Sequence, residues 1–158
     1  MSALTMLGKS AAALAAIAAL AAASAASSGP PPVIKSGQIA WKQTWIVDFD
    51  TGTSSNHGDV WFEAVNWSQM DLRPQGKAQI STAMYTNAQG APPAGYPFCA
   101  HANYGTGPQP VTTPAIKGAF FCVKTNGGHV AQFEVVKVAG DAAHHIPLVL
   151  YIDYKVWQ

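Results

Sequence analysis

Three acids, Asp48, Asp50 and Asp59, have the types and spacing that could do chemistry. Asp48 and Asp50 stand two apart in a stretch that alternates apolar and polar residues, so their carboxylates share one face of a strand. Asp59 opens the next apolar run, across the polar segment 51–58. In a hairpin the three converge. With loop carbonyls of Thr51 or Asn56 they would suit Ca²⁺, which takes about six to eight oxygen ligands. The spacing is not an EF-hand, because glycine comes too early and no bidentate glutamate follows at the required distance. The plainer expectation is that the acids bond backbone N–H groups of the loop they flank. Carboxylate pairs also hydrolyse glycosides when held roughly 5–10 Å apart with one proton retained, but nothing in this spacing selects that chemistry. Ca²⁺ is the one candidate cofactor, and no other is expected.

Other reactive constellations are absent from the sequence. It has no G-x-S-x-G elbow, no H-E-x-x-H and no C-x-x-C. The histidines are scattered. His144 and His145 are adjacent and point opposite ways in an extended chain, while His57 lies in the loop before Asp59. The aromatic residues offer a second chemistry. Five tryptophans are many for a domain of this size, and an exposed ring on a β-face is a stacking platform for sugars. Trp41 and Trp45 share a face with Ile39 and Val47 and read as core. Trp61, between Asp59 and Glu63 on the face opposite Val60 and Phe62, reads as a ligand-binding candidate. So do Tyr96 and Tyr104, in a long loop.

Compartment and charge narrow the possibilities. One charge, Lys9, precedes an apolar run over residues 11–23, and Ala23-Ser24-Ala25 follows as a cleavage pattern. The run is too short for a membrane span and has the layout of a secretory signal peptide. Residues 1–26 are thus expected to be removed, leaving no transmembrane segment and a secreted or periplasmic protein. Without Lys9 the mature chain has eight basic and eight acidic residues. That balance excludes a basic footprint for nucleic acid, and a sparsely charged neutral surface favours sugars, apolar ligands, other proteins or a second copy. Cys99 and Cys122 are then most simply one disulfide. Asn66-Trp67-Ser68 is a formal glycosylation sequon, relevant only to a eukaryotic source.

The elements that must position these residues are strands. Segment 27–36 is a Ser/Pro-rich tether, with Pro30 to Pro32 forbidding regular structure, and a single β domain is expected over 37–158. Ile39 to Phe49 reads as one long strand interrupted at Gln43. Strands follow at 59–67 and 78–82, with Arg73-Pro74-Gln75-Gly76 as a turn. Segment 87–114 holds six prolines and four glycines and reads as an irregular excursion, pinned by Cys99 to the strand carrying Cys122. Residues 120–125 and 129–138 form a hairpin around Asn126-Gly127-Gly128, with positive φ expected at Asn-Gly. The segment 146–157 is the last strand. No helical stripe appears. The sum is an all-β fold, an antiparallel β-sandwich or flattened barrel of about six or seven strands.

The motifs Asp48-Phe49-Asp50-Thr51-Gly52, Gly58-Asp59-Val60-Trp61 and Cys122-Val123-Lys124-Thr125-Asn126, with the closing Tyr154-Lys155-Val156-Trp157, carry a resemblance. Over about residues 40–158 the chain resembles a group of small exported bacterial β modules. These have a D-x-D-T-G…G-x-D-[IV]-W opening and a C-V-[RK]-T-x-x-G hairpin. The resemblance implies export and a β fold. It carries over no catalytic residue, because the activity of such modules is unsettled.

The expected function is a secreted, non-catalytic binding module for carbohydrate or a surface protein. A self-associating structural or matrix protein, a homo-oligomer, is the alternative. A small hydrolase using the Asp48/Asp50/Asp59 face is the third.

Overall fold

The computed structural model describes residues 29–85, 95–111, 115–141 and 146–158. The signal-peptide reading and the His144–His145 pair fall outside these residues. The fold is an all-β sandwich of two antiparallel sheets, neither closed into a barrel. Its elements are β1 (Val33–Lys42), β2 (Ile46–Asp48), β3 (Thr53–Ser55), β4 (Val60–Asn66), β5 (Gln69–Pro74), β6 (Gln79–Ser81), α1 (Tyr96–Cys99), β7 (Tyr104–Gly105), β8 (Gln109–Val111), β9 (Phe120–Lys124), β10 (Val130–Asp141) and β11 (Ile146–Trp157). One sheet has the order β1-β11-β10-β9-β6-β7 and the other β3-β2-β4-β5-β8.

Alternation decides which residues meet between the sheets. Phe133, Val135, Ile152, Tyr154 and Val156 point inward from the larger sheet, and Val47, Val60, Phe62 and Leu72 from the smaller. Their aromatic centre is Phe133, stacked on Phe121 at 5.0 Å and on Phe49 at 5.4 Å, with Trp41 edge-on at 5.8 Å. Such pairs add roughly 0.5–1.5 kcal/mol each beyond the area they bury.

Four features differ from the sequence reading. The strand expected from Ile39 to Phe49 breaks at Lys42 and changes sheet, because Thr44 takes a left-handed φ of 69°. The break turns Trp45 out of the core to 42% exposure, while Trp41 stays fully buried and donates its indole N–H to the Trp45 carbonyl. β1 begins at Val33, inside the segment read as tether, because residues 33–36 find partners at the end of β11. The strand count is higher. The short strands β3, β7 and β8 lie in stretches whose turn-forming residues read as loop, and β5 covers residues 69–72, left without an element in the sequence reading, and runs into the Arg73-Pro74 turn. The 120–138 hairpin carries its positive φ at Gly128 rather than at Asn126-Gly127, a three-residue loop in which a turn is followed by one left-handed residue.

At one end of the sandwich these loops are held by the acids. Asp59 accepts the N–H of Phe49 on Oδ2 at 2.8 Å and that of Asn126 on Oδ1 at 2.6 Å. Asp50 accepts the Thr125 hydroxyl and the Gly127 N–H, and pairs with His129 Nδ1 at 2.8 Å. A Cβ at Gly127 would lie 2.5 Å from Asp50 Oδ2, so a larger residue there would displace that carboxylate. Asn126 extends the junction, accepting the N–H groups of Lys77 and Ala78 on Oδ1 and donating Nδ2 to the Gly58 carbonyl.

Candidate functional site

The structure brings Asp48, Asp50 and Asp59 together: one carboxylate oxygen from each lies within 4.8 Å of the others. The same oxygens hold the fold. Both oxygens of Asp50 and of Asp59 accept protein N–H or O–H groups, and Asp48 Oδ1 accepts the Thr51 N–H. Burial pushes the Asp59 carboxyl up from its ordinary value, with a smaller push from Asp50 and Asp48, against the pull of the Asn126 and Phe49 N–H groups. Asp59 therefore serves as an acceptor for two loops.

The aromatic candidates separate. Trp61 is half-buried on β4, in the smaller sheet, between Ile46 and Arg73 in the register. Arg73 pairs there with Glu63. Tyr96, in α1 beside β10, and Tyr104, in β7 at the edge of the larger sheet, belong to a segment on that sheet's side, so they share no platform with Trp61. That segment is pinned by the Cys99–Cys122 disulfide, with the Cα atoms 5.4 Å apart. Tyr104 donates its hydroxyl to the Cys99 carbonyl, its ring lies under the Lys124 ammonium at 4.6 Å, and burial pushes its pKa up to about 12. Tyr96 packs on Trp157, ring centroids 6.1 Å apart.

A concavity lies beside this pinned segment. Phe133 and Val135 face the core, so Gln132 and Glu134 face outward, and by the same alternation so do Asp153 and Lys155 on β11. In the register Glu134 sits opposite Asp153 and Gln132 opposite Lys155. Phe120 on β9 lies opposite Glu134. Gly95 closes one side, its N–H donated to Gln132 Oε1 at 2.9 Å. The enclosed volume is about 410 Å³, within the roughly 300–1,000 Å³ usual for small-ligand sites. Gln132 is 8% exposed and held in place by this bond. Among the described residues, Glu134, Asp153 and Lys155 make no ion pair with one another. The groove thus presents two carboxylates, an ammonium and an amide beside an aromatic edge, a set that can accept and donate to hydroxyl groups.

The solved structures include one that the chain is similar to, an apo HmuY analog from Tannerella forsythia. Identity is 15% and the TM-score 0.44, over 82% of this chain and 98% of that one. No protein-family model matches the chain, and no curated protein does. The likeness is too distant to transfer a ligand.

The four polar groove residues escaped the sequence reading. A signal for them existed: Gln132 and Glu134, and Asp153 and Lys155, are polar pairs at period 2 inside otherwise apolar strands. What makes them a site is the pairing of β10 with β11, which places one pair beside the other.

Proposed function

We propose that the protein is an exported, non-catalytic binding module whose ligand is carbohydrate, held on the outer face of the six-stranded sheet. The observation that carries this reading is the groove of about 410 Å³ with Gln132, Glu134, Asp153 and Lys155 on its floor and the disulfide-pinned segment as its wall. Carboxylate and amide acceptors on a rigid sheet suit vicinal hydroxyls, and Phe120 supplies an apolar edge for a ring face. The assay is a glycan array with cell-wall polymers, using folded mature protein. Binding that falls at least about tenfold in the Glu134→Gln/Asp153→Asn double variant, a loss of roughly 1.4 kcal/mol, supports the reading. A blank array with folded protein overturns it.

Ca²⁺ is the ion the Asp48/Asp50/Asp59 trio would suit by ligand type. Because both oxygens of Asp50 and Asp59 and one of Asp48 already accept protein donors, we read the trio as a clasp between loops. Equal thermal midpoints in Ca²⁺ and in EDTA support the clasp. A Ca²⁺-dependent rise that Asp48→Asn removes would reinstate the metal site.

Self-association is the second reading, favoured by the edge position of β1, which pairs with β11 alone among the described residues and where Val33 and Ile34 are 50% and 44% exposed. An unpaired edge strand is a template for another chain. Concentration-dependent mass in light scattering, lost in Ile34→Lys, would support it.

A further inference from the structure

The groove does not end at Asp153. A second concavity of about 400 Å³ lies on the same outer face, lined by Gln38 and Ala40 of β1, Lys137 of β10 and Tyr151 of β11, and Asp153 lines both. The faces agree by register: Gln38 lies opposite Asp153, which lies opposite Glu134, and Ala40 lies opposite Tyr151, which lies opposite Lys137. The register of β10 shifts between Val135 and Lys137. Such a bulge bends and twists its strand and is common beside binding sites. The shift keeps Lys137 on the outer face, with its ammonium 5.1 Å from the Tyr151 ring centroid.

Resting on the carbohydrate reading, we infer that the two concavities form one trough that takes an internal stretch of a linear, uncharged polysaccharide, rather than a chain end or a single sugar. Length supports this. From Gln132 to Lys137 the trough follows β10 for roughly 15 Å at about 3.3 Å per residue, enough for several pyranose rings in line. Charge supports it too. Asp153 and Glu134 stand at the middle, with Lys155 towards one end and Lys137 towards the other, so the trough is balanced along its length. Its central carboxylates repel an acidic glycan where contact is closest and accept hydroxyls from a neutral one. Tyr151 offers a ring towards the Lys137 end, and Phe120, opposite Glu134, offers an apolar edge beside the central carboxylates.

The test is amide chemical-shift mapping and calorimetry with glucose, cellobiose, cellotetraose and cellohexaose, and with the matching chito-oligosaccharides. Affinity should rise with chain length, and the longest oligomer should shift amides of both concavities, Phe120 and Glu134 at one side and Gln38 and Tyr151 at the other. Tyr151→Ala should flatten the rise with length, by roughly tenfold at the longest oligomer. Gln38→Ala, on an exposed edge strand, is the second variant, and it should act in the same direction without disturbing the core. Binding that is independent of length, with shifts confined to the concavity beside Gly95, overturns the trough and leaves the binding module standing. No shift with any oligomer overturns both.

Discussion

Asn126 donates its backbone N–H to Asp59 Oδ1 at 2.6 Å across 67 positions of sequence. This bond ties the turn of the β9–β10 hairpin, in one sheet, to the start of β4, in the other. Asp59 is 1% exposed and also accepts the Phe49 N–H, so its loss would strand one buried donor, Phe49, and one part-buried donor, Asn126. Asp59→Ala should cost about 3 kcal/mol and lower the midpoint by roughly ten degrees for a domain of this size. Chemical denaturation measures it. The pH profile adds a sign. A carboxyl raised above 3.8 in the folded state binds more protons folded than unfolded, so its contribution falls as pH rises from near 3.8 through the folded value. The difference between wild type and Asp59→Asn should change in that window and stay level above it.

Tyr104 makes the opposite end of the pH scale informative. Its pKa, pushed up by burial from 10.0 to about 12, means the folded protein keeps a proton that the unfolded chain has lost. Stability from this group is full below pH 10 and declines as pH rises from 10 to about 12. Tyr104→Phe should flatten the decline in that window, read by alkaline unfolding followed through tyrosinate absorbance and circular dichroism.

The disulfide is expected to act on fold and groove together. Cys99 and Cys122 are 23 positions apart, a loop whose closure is worth about 3 kcal/mol in the chain-entropy model. Replacing both by serine should lower stability by about that amount. It should also weaken ligand binding, because Gly95 would no longer be held against Gln132. Amide exchange at Gly95 and Gln132 checks the second effect apart from the first.

Thr44 gives a gain. A β-branched residue at φ 69° is strained by about 1–2 kcal/mol, and Thr44 is exposed. Glycine removes the strain at the cost of a freer unfolded chain. Thr44→Gly should stabilise by up to about 1 kcal/mol, seen as a higher denaturation midpoint with an unchanged slope.

The all-β class, the hairpin at residues 120–138 and the last strand were legible because period-2 alternation survives wherever one face is buried and the other wet. Trp41 in the core and the pairing of Cys99 with Cys122 were legible for the same kind of reason, residue chemistry acting locally. Trp45 was not. A single left-handed residue, Thr44, resets which face follows, and threonine gives no warning of it. Short strands such as Thr53–Ser55 were also hidden, since their residues read as loop and only their partners make them strands. The acid trio was legible as a convergence of Asp48, Asp50 and Asp59, and so in part was its use: Asp48 takes the Thr51 N–H of the loop it flanks and Asp59 the Phe49 N–H, whereas the other donors, from residues 125–129 of the other sheet, were not. The groove was least legible of all. Gln132, Glu134, Asp153 and Lys155 are unremarkable in sequence and become a surface only through the β10–β11 register.

That register also sets an order of events. β1 has one partner strand among the described residues, β11, and β11 fills the place between β1 and β10. As the chain emerges, β1 therefore waits with both edges open until β11 has followed it. The larger sheet is closed by its longest-range pairing, and folds dominated by such contacts fold slowly, in roughly milliseconds to seconds. Throughout that interval Val33 and Ile34 lie bare on an unzipped ribbon, so the stretch most exposed to misassembly is the first strand to emerge. A holding partner for the nascent chain would have most to shield there.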